Sequence, residues 1–411
     1  MTRVSVLGGS SPFTVALVDA IEASEALSHQ LHKWEIVLQG RHVQNLDAVA
    51  HYARHRLGGF GTSVKSTTDL DAALTDAEIV IVQTRFGGLE ARASDELFAS
   101  ELGCIADETL GPCGLLSAFR QMRPVDDLAI RVKTICPGAF VVNMINPLSL
   151  TTAMMLRRGV TAVGICELPH ATLQAFAGAL RIDPSELYWS YEGLNHRGFI
   201  PVARTRDGED LLQRVVRSAP DAATQMYRDD VLRLGAIPTK YFAVFDGRSS
   251  HGKGRAVALM SLRDAIARDL IANPTQCPAQ IANRDMPWYA QAVVPLVAAR
   301  VGAQRYDATI NVAVDGPLVH ERRARVFGDR IDILDPAPAD GPFRDWLAAF
   351  EHHERLCLAA LDDPTPYTIG AALEADQITP CDNVRNAAAR IFRTWRNAAN
   401  NGQPCETGNV Q

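Results

Sequence analysis

Short apolar runs, each closed by a glycine or polar turn and followed by a segment of helical period, set the rhythm of the first 165 residues. Val4-Ser5-Val6-Leu7 reads as a buried strand that enters the turn Gly8-Gly9-Ser10-Ser11, and residues 14–26 then carry the spacing of an amphipathic helix. The same pattern predicts strands over 34–38, 78–83, 139–143 and 160–165, with a helix over 45–56 and an acidic segment over 69–76. Strand alternating with helix points to a parallel, doubly wound sheet, whose ligands gather at the strands' carboxyl ends. Beyond residue 165 the rhythm changes. Strands over 188–191 and 309–314 stand among helices expected over 208–218, 255–272, 289–303, 343–361 and 381–397. The expected fold class is therefore α/β: an N-terminal Rossmann-like doubly wound parallel sheet over residues 1–165, with a C-terminal α+β domain over 166–411. Residues 335–342, rich in Pro, Asp and Gly, read as a loop or linker, and the polar stretch 400–411 as a frayed end.

Composition narrows the class of function. The 411 residues are enough for two domains, and a net charge of −6 on a mixed surface gives no footprint for nucleic acid or anionic lipid. The opening Met1-Thr2-Arg3 runs straight into a strand and leaves no room for a signal peptide, and no apolar run approaches a membrane span. Eight cysteines without C-x-x-C spacing fit reduced thiols. The expectation is a cytoplasmic protein.

Chemistry-bearing residues collect at the expected strand ends: Gln83-Thr84-Arg85, Asn143, Asn146 and Cys166. Strand, glycine turn and helix start make Gly8, Gly9, Ser10 and Ser11 a candidate phosphate site, because free N–H groups point at an anion there. The turn lacks the full G-x-G-x-x-G spacing. After the second strand, Gln39-Gly40-Arg41 stands where a ribose-binding acid is usual, which either loosens NAD binding or lets Arg41 meet the 2′-phosphate of NADP. Cys166 at a strand end and His196, in the turn Gly193-Leu194-Asn195-His196, are suitable ligands for a transition metal with open positions. A cysteine after an apolar strand is more often a small core residue.

Several ordered motifs together resemble glycoside hydrolase family four, the NAD- and metal-dependent 6-phosphoglycosidases and α-glycosidases, which share a superfamily with lactate and malate dehydrogenases. They are Gln83-Thr84-Arg85-Phe86-Gly87-Gly88-Leu89-Glu90-Ala91-Arg92 with Asp95-Glu96, Asp107-Glu108-Thr109-Leu110-Gly111-Pro112-Cys113-Gly114, and Asn143-Met144-Ile145-Asn146-Pro147. Gly164-Ile165-Cys166-Glu167-Leu168-Pro169, Gly193 to His196, and Ile237-Pro238-Thr239-Lys240-Tyr241 complete the set. The likeness runs from residue 4 to about Tyr289. It departs from the family at the shortened glycine turn, at Gln39-Gly40-Arg41, at Ala106-Asp107-Glu108-Thr109 for Gly-Gln-Glu-Thr, and at Arg284-Asp285-Met286 for Arg-Gly-Gly.

The resemblance implies a glycosidase working by oxidation and elimination rather than with two carboxylates. NAD⁺ takes hydride from carbon 3 of the sugar, the ketone acidifies the proton on carbon 2, and a metal stabilises the resulting charge. The aglycone leaves, water adds and the hydride returns. On this reading Cys166 and His196 hold Mn²⁺ or another divalent metal, Tyr241 is the base, and Glu167 is the acid for the leaving oxygen. Gln83 joins Gly8 to Ser11 and Arg41 at the cofactor. Arg85, Asn146 and Arg284 meet the substrate, a small glycoside bearing phosphate, sulfonate or hydroxyl on carbon 6. Family members are homodimers or homotetramers. Blander roles stand beside each of these: an arginine paired with Asp95 or Glu96, an Asn146 that caps its own turn, a packed Tyr241, a Glu167 that merely steadies a neighbouring ligand or is simply exposed. His170, His320 and the His352-His353 pair read as core or surface residues. Two other classes compete: a plain dehydrogenase, which has no use for Cys166 or Tyr241, and a sensor without turnover, suggested by the missing ribose acid.

Overall fold

The computed structural model describes residues 1–219, 221–248, 254–314, 316–334 and 339–400. Six strands, β1 (Thr2–Leu7), β2 (Trp34–Gln39), β3 (Ser63–Thr67), β4 (Ile79–Val82), β5 (Phe140–Asn143) and β6 (Ala162–Ile165), pair in parallel in the order β3-β2-β1-β4-β5-β6. The inner strands β4, β5 and β6 are apolar almost throughout because helices cover both faces, and every position of the three is buried. The reversal between β1 and β4 opens a crevice at the carboxyl ends.

The chain then changes style, as expected. β7 (Tyr188–Leu194), β8 (Arg197–Arg204) and β9 (Ile237–Pro238) form an antiparallel unit, and β10 (Tyr306–Ala313), β11 (Val319–Phe327) and β12 (Arg330–Ile333) another. β10 pairs antiparallel with β6, and β11 with β7, so one sheet continues from the parallel half into the mixed α+β half. The pairing aligns Gly164, just before Cys166, with Asn311, Glu321 and then Gly193, just before the His196 turn.

Several elements differ from expectation. The helix over 14–26 breaks into Thr14–Glu22 and Glu25–Ser28, with Ser24 in an extended conformation between them. The helix over 289–303 opens with a π turn, Tyr289–Val293, before Val294–Arg300. The last predicted helix begins as a 3₁₀ turn, Cys381–Asn383, and continues as Val384–Asn400. Of the expected linker, residues 335–338 lie outside the described residues, as do 401–411 of the expected frayed end. The seven described cysteines are all free, and among the described residues no helix is long and apolar enough to cross a membrane.

Candidate active site

The glycine turn after β1 is held by its neighbours. Gly8 and Gly9 both donate their N–H to the Gln39 carbonyl, at 3.0 and 2.6 Å. Those two groups are thus spent inside the fold, and Ser10 is the turn residue whose N–H makes no hydrogen bond among the described residues. The glycines serve close approach instead. Gly8 has φ +89°, and a Cβ there would come within 3.1 Å of the Gln83 backbone; one on Gly40 would overlap the Ser10 side chain. The start of β1's turn and the end of β2 are thus pressed together, with Ser10 buried, Ser11 half-buried and Arg41 exposed beside them. Gln83, at the end of β4, donates to Thr14 Oγ1 at 2.8 Å and accepts from the Tyr289 hydroxyl at 2.7 Å, which ties the cofactor side of the crevice to the C-terminal half.

On the opposite side, Arg85 pairs with Glu108, which also accepts from Arg92 Nη1 at 2.9 Å and Asn146 Nδ2 at 3.2 Å. Burial pushes the Glu108 carboxyl up, but Arg85, Arg92 and the hydrogen bonds of Arg85 and Asn146 outweigh it and hold the group well below the usual carboxylate range. Glu96 takes Arg92 Nε at 3.0 Å and Asp95 takes Arg120, so neither is the partner of Arg85. Asn143, rather than Asn146, caps the Asn-Pro turn, by accepting the Ile145 N–H at 3.1 Å. Arg284 stacks its guanidinium 4.3 Å from the Phe13 ring centre and 5.2 Å from that of Trp288. Its buried Nε has no hydrogen-bond partner, and burial, aided by the Arg85 charge, lowers its pKa to about 10 despite the pull of Tyr289 and Glu108.

Between these two sides stand Cys166, His196 and Tyr241. Tyr241 immediately precedes the short helix Phe242–Phe245 and packs in a cluster with Cys166, Leu148 and Leu168. Its ring lies parallel to that of His196, 4.1 Å between centres and 8° between planes. His196 is buried, adopts the left-handed φ of +64°, and leaves Nδ1 without a partner. Burial lowers its pKa to about 4, so the ring is neutral at physiological pH. Burial, and then the charges of Glu167 and Glu321, pushes the Cys166 thiol well up. Burial, followed by the charges of Asp107, Cys166 and Glu108, pushes the Tyr241 phenol up as well. Glu167 immediately precedes the helix Leu168–Ala179 and accepts from the Cys166 thiol at 3.7 Å.

A neutral imidazole with an orphaned buried nitrogen, beside a buried thiol, fits a borderline divalent cation, whose charge would offset every upward shift just described. Among the described residues no group of three or more His, Cys, Asp or Glu stands together as ligands. Two protein donors leave the remaining positions to substrate oxygens and water, the open arrangement of a catalytic metal site.

Two carboxylates were not singled out from the sequence. Glu108 lies in a quoted motif, yet its role as the hub of Arg85, Arg92 and Asn146 depends on the folding back of its loop. Glu321 on β11 is fully buried and accepts from Tyr191, Asn195 and Asn311. Burial raises its pKa to about 7 against the pull of those three donors.

A dinucleotide-type crevice flanked by arginines, with a thiol, an imidazole and a phenol at its centre, defines an α/β enzyme of the cofactor-dependent kind. The sequence profile of the family 4 glycosyl hydrolases matches residues 3–182. The chain is 26% identical over 341 residues to a probable 6-phospho-beta-glucosidase of Bacillus subtilis, covering 77% of each chain. The 6-phospho-beta glucosidase of Thermotoga maritima, solved with manganese, NAD⁺ and glucose-6-phosphate, superposes with a TM-score of 0.82 at 22% identity, covering 97% of this chain and 99% of that one. A 6-phospho-alpha-glucosidase from gut microorganisms, solved with NAD and Mn²⁺, gives 0.77 at 18% identity, covering 97% and 98%.

Proposed function

We propose that this chain hydrolyses an anionic glycoside, first a 6-phosphorylated one, by NAD-dependent oxidation at carbon 3, elimination and water addition. The observation that carries the reading is the parallel stack of Tyr241 on His196 beside Cys166, which gathers a base and two metal donors at one point of the crevice. The names and ligands of the similar proteins support it, and because both β- and α-glucosidases are among them, the reading does not commit to an anomer.

When bound, NAD⁺ would supply the hydride acceptor and a divalent cation the charge that stabilises sugar oxygens. The chain's residues do the rest. The Gly8 to Ser11 turn and Gln83 seat the dinucleotide, with Arg41 at its 2′ end. Cys166 and His196 hold the cation. Tyr241 takes the proton from carbon 2, and Glu167 delivers one to the leaving oxygen. Arg85, Asn146 and Arg284 orient the sugar, and the unpartnered Nε of Arg284 favours an anionic group at its far end.

The test is a hydrolysis screen of α- and β-glycosides bearing phosphate, sulfonate or hydroxyl on carbon 6, with NAD⁺ and Mn²⁺. Cleavage that needs both additions, stops with chelator and leaves no net NADH is expected. NADH released in step with substrate consumption would make the protein a dehydrogenase, and binding without turnover a sensor. Cys166→Ala and His196→Ala should each weaken Mn²⁺ binding.

A further inference from the structure

We propose that Glu321 is a positioning residue that holds the His196 turn in its metal-binding conformation; the proposal rests on the reading of His196 as a ligand. His196 is a non-glycine residue at φ +64°, a conformation that persists only where the surroundings impose it. Both its neighbours are tied from outside the turn. Arg197 is buried and reaches His353 Nδ1 at 2.8 Å and Glu354 at 3.4 Å, both on the helix Phe343–Asp362. Asn195 donates Nδ2 to Glu321 Oε1 at 3.2 Å. The Asn195 Oδ1 has no partner, so the amide is held from its nitrogen end.

The strand register explains why one carboxylate can serve both metal turns. Glu321 lies opposite Gly193 of β7, three residues before His196. On its other side it faces Asn311 of β10, which in turn lies opposite Gly164 of β6, two residues before Cys166. Asn311 Nδ2 donates to Glu321 Oε1 at 2.9 Å, and the Tyr191 hydroxyl donates to Glu321 Oε2 at 2.7 Å. A fully buried carboxylate is costly unless its oxygens are occupied, and here all three donors come from strands that lead to, or brace, the proposed ligands. An apolar residue would fill the same place in the sheet but would leave the Asn195 amide unanchored.

The test is made on the full chain, with Mn²⁺ affinity read from the paramagnetic resonance of the free ion and NAD⁺ affinity read in parallel. Glu321→Ala and Asn195→Ala should weaken Mn²⁺ binding by roughly 10–100-fold, the usual effect of losing a residue that orients a ligand, while NAD⁺ affinity stays within about twofold. Glu321→Gln keeps an oxygen for Asn195 and Asn311 and should recover most of the loss, whereas Glu321→Leu, which fills the space without an acceptor, should not, the opposite of what a purely steric role predicts. Should Glu321→Ala not fold, Asn195→Ala, which leaves Glu321 its other two donors, decides the matter. Parental Mn²⁺ affinity in Asn195→Ala while Cys166→Ala and His196→Ala lose the metal would overturn the proposal, as would an equal loss of NAD⁺ and Mn²⁺. Parental affinity in Cys166→Ala and His196→Ala would instead remove the ligand assignment, and the proposal with it.

Discussion

Replacing Tyr241 by Phe deletes one oxygen and keeps the ring that lies against the His196 imidazole. The change conserves shape, so the cluster with Cys166 and Leu168 should persist and the protein should fold. The loss is then chemical. General-base catalysis is worth about 10²–10⁴-fold, or about 3–5 kcal/mol of barrier at ~1.4 kcal/mol per decade. Burial and the charges of Asp107, Cys166 and Glu108 all oppose a phenolate. The Arg255 charge opposes them, and a bound divalent cation would oppose them further. Hydride transfer precedes proton removal in this scheme. Tyr241→Phe should therefore still form enzyme-bound NADH in a single turnover, seen by its absorbance, while steady-state cleavage of a 6-phosphoglycoside collapses. Near-parental cleavage would remove Tyr241 from the mechanism. A folded variant that neither cleaves nor forms NADH would refute the order of steps.

Three further predictions follow from particular contacts. Arg284→Ala should lower kcat/KM for a 6-phosphorylated substrate by roughly 10–100-fold, the worth of a hydrogen bond to a charged group, and barely change that for the 6-hydroxyl analogue; an equal effect on both would detach Arg284 from the anionic group. Titrating NAD⁺ and NADP⁺ against Arg41→Ala should leave NAD⁺ preferred, and an NADP⁺ preference in the parent that the variant loses would overturn the NAD assignment. Burial, with the Arg323 charge behind it, lowers the His170 pKa to about 4, whereas the unfolded chain titrates near about 6.5. The unfolded state alone gains that proton as pH falls through 6.5, so stability present above that pH is lost on the way to about 4, by on the order of 3 kcal/mol at most. His170→Gln should escape that loss in urea unfolding across the same window, and a difference between variant and parent that does not change with pH would refute it.

The parallel half was legible because its strands are covered on both faces and therefore read as unbroken apolar runs, each ending in a turn with a polar cluster. Cys166 and Gln83 were found that way. The helix Gly111–Ile135 was not, since Gly111, Gly114, Pro112 and Pro124 interrupt its period, although glycine and proline at its start are compatible with a helix N-terminus. Glu321 was hidden for a different reason. Its neighbours His320, Arg322, Arg323 and Arg325 make β11 look like a solvated edge, and only the pairing with β10 and β7 turns that position inward. The same limit applies to Glu108. Sequence proximity pointed Arg85 towards Asp95 and Glu96, whereas those acids are engaged by Arg120 and Arg92 on adjacent turns of packed helices. The glycine turn after β1 was recognisable as a turn, but pattern alone could not tell that its first two N–H groups close onto Gln39.

The central claim is that the glycosidic bond breaks by elimination after removal of the proton from carbon 2, with Tyr241 as its acceptor. Hydrolysis of a 6-phosphoglycoside by the parent enzyme in D₂O, with NAD⁺ and Mn²⁺ and the product read by NMR, tests it most directly. The account predicts deuterium at carbon 2 of the released sugar. A product that keeps its original proton at carbon 2 would contradict it and point to direct displacement.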